Sequence, residues 1–289
     1  SQILEEFTLG ISSIAKSVLP EKPVYWALPG GLYKPYADCG MVIYMGCVGS
    51  SHPGTAYVHP VKRSCDRAGC PTCSTSWRWK ASKKIAHRIA EVRKILRGNG
   101  YHATSPIHVT VNPGPDLWDQ YRYPRYYPKL RRNVQRVAKK AGFYGGVQVF
   151  HPWRYRCAKC GSHFNFDTKT CSNCGSDHKA RYFSPHWHLL GFGWITGTPA
   201  LAESTGYLVK NHGVRDSVQR TAYYELGHCG IRQEYQAFTW FGVCNGNVLS
   251  NKWAVQVPPE LKEVDHCPLC GQRLKRLRYH GTKPPPEEP

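Results

Sequence analysis

Two kinds of residue in this chain are spaced for chemistry: a histidine pair and a set of paired cysteines. The histidines lie in Ser184-Pro185-His186-Trp187-His188-Leu189-Leu190-Gly191-Phe192-Gly193. In a β-strand alternate side chains share a face, so His186 and His188 point the same way and Trp187 and Leu189 point into the core behind them. Two imidazoles side by side suit a divalent metal ion. The chain has 13 cysteines, and eight of them form four C-x-x-C pairs: Cys70/Cys73, Cys157/Cys160, Cys171/Cys174 and Cys267/Cys270. Two thiolates three residues apart fit one tetrahedral ion better than a disulfide framework. That chemistry is zinc, and it points to a reducing, cytoplasmic setting.

The pairs Cys157-Ala-Lys-Cys160-Gly and Cys171-Ser-Asn-Cys174-Gly read as a zinc ribbon, with a short hairpin between them and a metal that supplies its folding energy. A second zinc set is expected from Cys47, Cys65, Cys70 and Cys73, with His59 as the alternative to Cys47. Cys267 and Cys270 make a third, partial set. Its distant partners are to be drawn from Cys39, Cys229, Cys244, His228 and His266. The chain therefore calls for one to three zinc ions.

These groups need a scaffold. Ala81, Ile85, Ile89, Val92 and Leu96 are spaced four, four, three and four apart, which predicts a helix over 77–97, ended by Gly98 and Gly100. Strands are expected at 41–45, 107–111, 146–150, 187–194 and 238–243. Helices are expected in the second half of 121–140 and over 217–226. This order predicts an α+β fold, an antiparallel sheet with helices packed on one face, interrupted by the ribbon. Residues 1–24 read as a peripheral lead-in and 283–289 as a disordered tail. The domains expected are 1–100 (cysteine-rich region and basic helix), 101–250 (core, with the ribbon at 154–181) and 251–289 (zinc-binding extension and tail).

The chain is 289 residues long, with 39 Lys and Arg against 19 Asp and Glu, a net charge of +20. Such a surplus repels itself unless a surface neutralises phosphates, so a polyanionic partner is expected. The basic residues concentrate in two segments. Lys83, Lys84 and Arg88 lie on the first helix, and Arg122, Arg125, Tyr126, Arg131 and Arg132 lie in YRYPRYYPKLRRNVQRVAKK. Lys and Arg bind phosphates, and tyrosines such as Tyr121, Tyr123, Tyr126 and Tyr127 can stack on unpaired bases. No stretch approaches the ~20 apolar residues of a membrane span. Ser1–Leu19 lacks the basic start and cleavage-type end of a signal peptide.

From Ile107 to Val243 the chain resembles the HUH endonucleases, whose signature is His-hydrophobic-His on a strand. Ile107-His108-Val109-Thr110-Val111-Asn112-Pro113 is similar to the strand and turn that precede that motif in the family. Gly145-Gly146-Val147-Gln148-Val149-Phe150-His151-Pro152, followed by Ser184–His188, is similar to the hairpin of rolling-circle replication initiators of archaeal plasmids and viruses, with the ribbon inserted. The resemblance implies an RRM-like (ferredoxin-like) palm. It implies Mn²⁺ or Mg²⁺ held by His186, His188 and one residue of the preceding strand, Gln148 or His151. Alternation puts those two on opposite faces, so one of them serves. An all-imidazole set leans toward Mn²⁺.

The resemblance also implies a nucleophilic tyrosine downstream. Tyr224 is the first choice and Tyr223 the second. Tyr224-x-x-x-His228 carries His where the family has Lys, which gives His228, or Lys210, the task of assisting the phenol. Tyr207, in Tyr207-Leu208-Val209-Lys210, fits a shorter pattern but follows His188 by only 19 residues. The implied activity is nicking and rejoining of single-stranded DNA at a replication origin through a 5′-phosphotyrosine link. The sequence contains no G-x-x-x-x-G-K-[ST], so a helicase and a polymerase would be separate partners. Two alternatives stand beside this one. One is a transposase or relaxase using the same chemistry, although Phe192 occupies the place of the third histidine of common relaxases. The other is a non-catalytic zinc-ribbon DNA-binding regulator.

Overall fold

The computed structural model describes residues 23–31, 39–47, 52–102, 104–162, 164–165, 169–247, 249 and 266–277. The lead-in through residue 22, the tail at 283–289, and His163 and Phe166 of the ribbon lie outside these. In chain order the main elements are β1 (Val42–Cys47), β2 (Tyr57–Lys62), α1 (Ser74–Gly98), β3 (Ile107–Pro113) and α2 (Tyr127–Lys140). They continue with β4 (Phe143–Cys157), β5 (Phe164–Asn165), β6 (Thr170–Cys171), β7 (Lys179–Gly193), α3 (Thr198–Thr205), β8 (Tyr207–Val214), α4 (Val218–Leu226), β9 (Phe238–Gly242) and β10 (Lys275–Arg276).

The centre is a five-stranded antiparallel sheet in the order β8-β3-β7-β4-β9. Its first four strands follow the chain as β-α-β-β-α-β, with β3 and β7 in the middle. β4 and β7 are one long hairpin, and its outer half leaves the sheet. β3 pairs β7 only at 187–191 and β9 pairs β4 only at 145–149, whereas β4 and β7 stay paired from Trp153↔Phe183 to Cys157↔Lys179. This two-stranded arm carries the ribbon (β5, β6) at its tip. A separate three-stranded sheet, β10-β1-β2, joins the two ends of the described chain.

Period-two alternation splits the strand residues between two cores. Val109, Val111, Phe150, Trp187, Leu189 and Val209 pack with Leu130, Val134 and Val137 of α2 and with Leu201 of α3. On the other face Val147, Val149, Leu190 and Phe192 pack under Ala81, Ile85, Ile89, Val92 and Leu96 of α1 and under Ala222 and Leu226 of α4. All five stripe residues of α1 are buried, and each fully buried aliphatic side chain contributes about 1.5–3 kcal/mol. The expectation of helices on one face is therefore corrected. The two crossover helices share one face, and α1 and α4 cover much of the other.

β4 and β7 run unusually close. A Cβ on Gly191 would lie 2.2 Å from the Gly145 carbonyl, and one on Gly146 would lie 2.3 Å from that of Leu190, so only glycine fits there.

Candidate functional site

On the face shared with α1 and α4, β7 changes character. Phe192 and Leu190 belong to the apolar core, while His188, His186 and Ser184 continue the same row, with Glu225 near the end of α4 beside His188. The opposing residues extend the polar patch. His151 of β4 sits across from His186, and Thr110 of β3 sits across from His188. The ligand atoms of His151, His186 and His188 all lie within 4.8 Å of one another. Trp187 and Leu189 are fully buried behind them.

Gln148 is excluded from this group, which corrects its place among the candidate ligands. It stands on the opposite face of β4, fully buried, and its Nε2 donates to Thr239 Oγ1 at 2.8 Å. Strand parity separates it from His151, so only His151 faces the pair.

The hydrogen bonds turn these rings. His186 Nδ1 lies 2.8 Å from the Ser184 carbonyl, and His151 Nε2 lies 2.7 Å from the Glu225 carbonyl. A carbonyl can only accept, so each of those nitrogens carries the proton and the other one presents a lone pair. Burial holds His186 and His188 well below the usual imidazole range, with Arg154 and His151 adding to the effect, respectively. Burial, and then His228, brings His151 down to about 3. His151 and His186, neutral and each with a lone pair opposite its carbonyl bond, can take part in holding a divalent ion without first losing protons.

A second group, His108, His188 and Glu225, lies alongside. Sequence reasoning assigned no role to His108 or Glu225. Arg215 Nη2 donates to His108 Nδ1 at 3.0 Å, so the His108 proton sits on Nε2. That proton faces His188 Nδ1 at 2.7 Å and Glu225 Oε1 at 3.1 Å. His108 is thus a donor, and His151, His186 and His188 are the better ligand set. Glu225 is fully buried, and neither of its carboxylate oxygens has a hydrogen-bond partner among the described residues. Burial pushes its carboxyl up to about 8, opposed by Arg215. When ionised, it can accept the His108 Nε2 proton, whereas His188 Nδ1, 3.8 Å away, is beyond hydrogen-bond reach. His188, accepting from His108 at Nδ1, carries its own proton on Nε2, which an ion would have to displace.

The histidines open into a cleft of about 660 Å³ whose walls include Asn112, Trp153, Arg154, Tyr182, Lys210, His212, Tyr224 and His228. α4 places Tyr224 on this cleft, 55% exposed. The Tyr224 ring is 4.9 Å from that of His228, which is 6.1 Å from that of His151. His228 Nδ1 lies 3.1 Å from the Tyr224 carbonyl, which puts its proton on Nδ1 and a lone pair on Nε2. Tyr223 turns the other way. Its hydroxyl accepts from Arg78 of α1, whose guanidinium lies 3.9 Å over its ring. Tyr207 is core, hydrogen-bonded to Tyr121 at 3.2 Å.

The two basic segments lie on different faces, because α1 and α2 pack on opposite sides of the sheet. Tyr121 and Tyr127 are buried in the core and present no ring for stacking. Arg122 lies over Phe183 at 4.4 Å, Arg125 lies over Tyr126 at 4.9 Å, and Arg88 folds over Trp240 at 4.8 Å. Lys84 and Arg132 are exposed, and Lys83 and Arg131 are half-buried. Beside the cleft the basic and aromatic residues belong to the arm instead. Arg156 stacks on Tyr182, Lys179 on Tyr155 and Arg181 on Trp153.

The cysteines form three four-residue groups that could hold zinc. In the ribbon, Cys157 and Cys174 Sγ are 3.5 Å apart, as are those of Cys160 and Cys171. Hydrogen bonds from Ser162 draw the Cys160 thiol down to about 5. The second group is Cys39, Cys65, Cys70 and Cys73 at the start of α1, with Cys39 and Cys73 Sγ 3.0 Å apart. Cys47 is thereby corrected. β1 carries it away from this cluster and into a third group with His52, Cys267 and Cys270. His52 went unrecognised in the sequence because Cys267 and Cys270, which complete its group, are more than 200 residues distant. Cys229 and Cys244 are fully buried among apolar side chains and join none of these groups.

Comparison with known proteins gives no match. No family model, no curated sequence and no solved structure aligns with the chain. No helix among the described residues is long and apolar enough to cross a membrane.

Proposed function

We propose that this protein is a metal-dependent HUH-type endonuclease that nicks and rejoins single-stranded DNA through a 5′-phosphotyrosine link, in the manner of rolling-circle replication initiators. The observation that carries the reading is one cleft containing His151, His186, His188 and Tyr224, with His228 between the tyrosine and the metal ligands. The strand order supports it too, because β-α-β-β-α-β with two central antiparallel strands is the split arrangement of ferredoxin-like folds.

The three imidazoles suit Mn²⁺ or a similar divalent ion, which would polarise a phosphoryl oxygen and neutralise developing charge. The protein's own groups do the rest. Arg154, which hydrogen-bonds Asn112 and lines the cleft, supplies a fixed positive charge for a phosphate. Tyr224 Oη attacks phosphorus and the bond to O3′ breaks, leaving a phosphotyrosine and a 3′-hydroxyl. A phenol with pKa near ~10 is a weak nucleophile at neutral pH. His228, neutral through burial and with its Nε2 lone pair, takes the phenolic proton, the departing O3′ takes its proton from solvent water, and both transfers reverse when the strand is rejoined. The arm, with Arg154, Arg156, Lys179 and Arg181 beside Trp153, Tyr155 and Tyr182, offers cations and rings to an unpaired strand entering the cleft.

The test is incubation with labelled single-stranded oligonucleotides and Mn²⁺, followed by denaturing electrophoresis and mapping of the modified peptide. The reading requires a covalent adduct on the α4 peptide that is lost with chelator. Binding without any adduct, across origin-like and random sequences, would favour the regulator alternative.

A further inference from the structure

We propose that Cys47, His52, Cys267 and Cys270 hold a structural zinc ion that clasps the C-terminal segment of the described chain onto its N-terminal hairpin. The inference does not depend on nicking activity.

Its first support is a threefold repetition of local geometry. In the ribbon, Cys157-x-x-Cys160-Gly161 folds so that Gly161 N–H donates to the Cys157 carbonyl at 3.0 Å and Cys157 N–H to that of Ser162 at 2.8 Å, with Gly161 at φ +74°. Cys171–Gly175 repeats this, with Gly175 N–H to the Cys171 carbonyl at 2.9 Å, Cys171 N–H to that of Ser176 at 2.7 Å, and φ +68°. Cys267–Gly271 does so a third time, at 2.8 Å, at 2.7 Å to Gln272, and with φ +69°. The turn holds two thiolates toward one point, and the left-handed glycine lets the chain leave without striking them. Cys267–Gly271 is therefore half of a zinc site.

The other half is supplied from more than 200 residues away. Cys47, at the end of β1, has its Sγ 3.6 Å from that of Cys270. His52 Nδ1 lies 2.7 Å from the Thr55 carbonyl, so the proton is on Nδ1 and the Nε2 lone pair faces Cys267 Sγ at 3.6 Å. A carbonyl fixing the far nitrogen of a histidine is the outer-shell arrangement of zinc ligands.

The third support is what would otherwise hold the module together. Among the described residues its buried apolar side chains are Cys47, Cys267 and Leu274, with Met45, Tyr57 and Cys270 partly buried beside them. Two of the three are themselves ligands. A three-stranded sheet whose third strand is two residues long cannot fold on so little apolar area, so the ion must supply the folding energy. With the ion in place β10 docks on β1, with Leu277 N–H on the Tyr44 carbonyl at 2.8 Å and the Leu277 side chain over Gly46, where a Cβ would lie 2.4 Å from Cδ1.

The test uses the full chain loaded with ¹¹³Cd and read by NMR, in which sulfur and nitrogen ligands give separated resonances. Wild type should show two resonances in the four-sulfur range and one in the three-sulfur, one-nitrogen range. His52→Cys should move only the third into the four-sulfur range. Cys270→Ser should remove it, lower bound zinc by one ion per chain, and expose 266–277 to limited proteolysis while the other two resonances persist. No resonance of the mixed type would overturn the proposal. So would a His52→Cys spectrum like that of wild type, or thiol titration showing a Cys47–Cys270 disulfide in the protein as isolated.

Discussion

Replacing Tyr224 by Phe and, separately, Tyr223 by Phe puts the nucleophile assignment under the sharpest test, because the two hydroxyls have opposite structural settings. Tyr224 is 55% exposed on the cleft wall, so losing its oxygen should change stability by no more than about 0.5 kcal/mol. Tyr223 accepts from the Arg78 guanidinium, and a hydrogen bond to a charged group is worth about 1.5–3 kcal/mol. Tyr223→Phe should therefore lower Tm by several degrees. The effects on chemistry should run the other way. Tyr224→Phe should give no adduct, while Tyr223→Phe should form it at close to the wild-type rate below its own melting temperature. His228→Ala should slow adduct formation by about 10²–10⁴, the usual contribution of a positioned base. Raising the pH should partly restore it, about tenfold per unit, as the phenolate fraction grows below a pKa near ~10. The assay is a time course of covalent product on single-stranded oligonucleotide with Mn²⁺, run beside thermal melts. Undiminished adduct in Tyr224→Phe, or its loss in a folded Tyr223→Phe, would refute the assignment.

Other outcomes follow from the electrostatics and the packing. Because burial already keeps His151, His186 and His188 neutral while Glu225 stays protonated up to about 8, Mn²⁺ binding should displace one proton, from the His108–His188–Glu225 group. Affinity should then rise about tenfold per pH unit from 6 to 8 and level off above, with Glu225→Gln flattening the profile and weakening binding about 10–100-fold; a slope of three below pH 6.5, by titration calorimetry, would contradict this. The metal-free protein should lose stability on acidification. His108 and His151 have native pKa values of about 3 against an unfolded value near ~6.5, so each removes about 1.4 kcal/mol per unit as pH falls between those limits, readable from urea melts. Gly191→Ala should destabilise by about 1–3 kcal/mol by forcing β4 and β7 apart, seen as a lower urea midpoint.

The sequence was legible wherever a short period fixed the geometry. The spacing of Ala81 to Leu96 predicted a helix that buries that stripe, and strand alternation put His186 and His188 on one face with Trp187 and Leu189 behind. It was silent where two segments distant in sequence had to meet. Parity alone left Gln148 and His151 equivalent. The choice depends on which sheet face the histidines share, and that is set by how α1 and α4 cover it. Cys47 was expected beside Cys70 and Cys73, and Cys39 was a candidate beside Cys267, but the length of β1 carries the two to the opposite groups. Tyr121 and Tyr127 looked like stacking residues in a basic run, yet the amphipathic helix that follows draws both into the core. Strand β8 was read only as a tyrosine motif, because its mostly exposed, polar residues lack clear alternation.

On the proposed function, the hairpin of β4 and β7 would also act as a measuring device. Each strand is 15 residues long, and each passes a metal ligand, His151 or His186, on its way from the sheet to the ribbon. Seven residues of β7, with one register shift between His186 and Phe183, separate His186 from Lys179 at the ribbon's base, roughly 23 Å at ~3.3 Å per residue. Phosphates along one strand of duplex DNA repeat every ~3.4 Å of helix axis, so that reach corresponds to about seven base pairs of duplex flanking the site. A contact made by the ribbon would then set the position of the scissile bond by counting along the strand. Deleting a pair of residues from each side of the arm, two apart so that both faces are kept, would shift the cut by about two nucleotides without touching the chemistry.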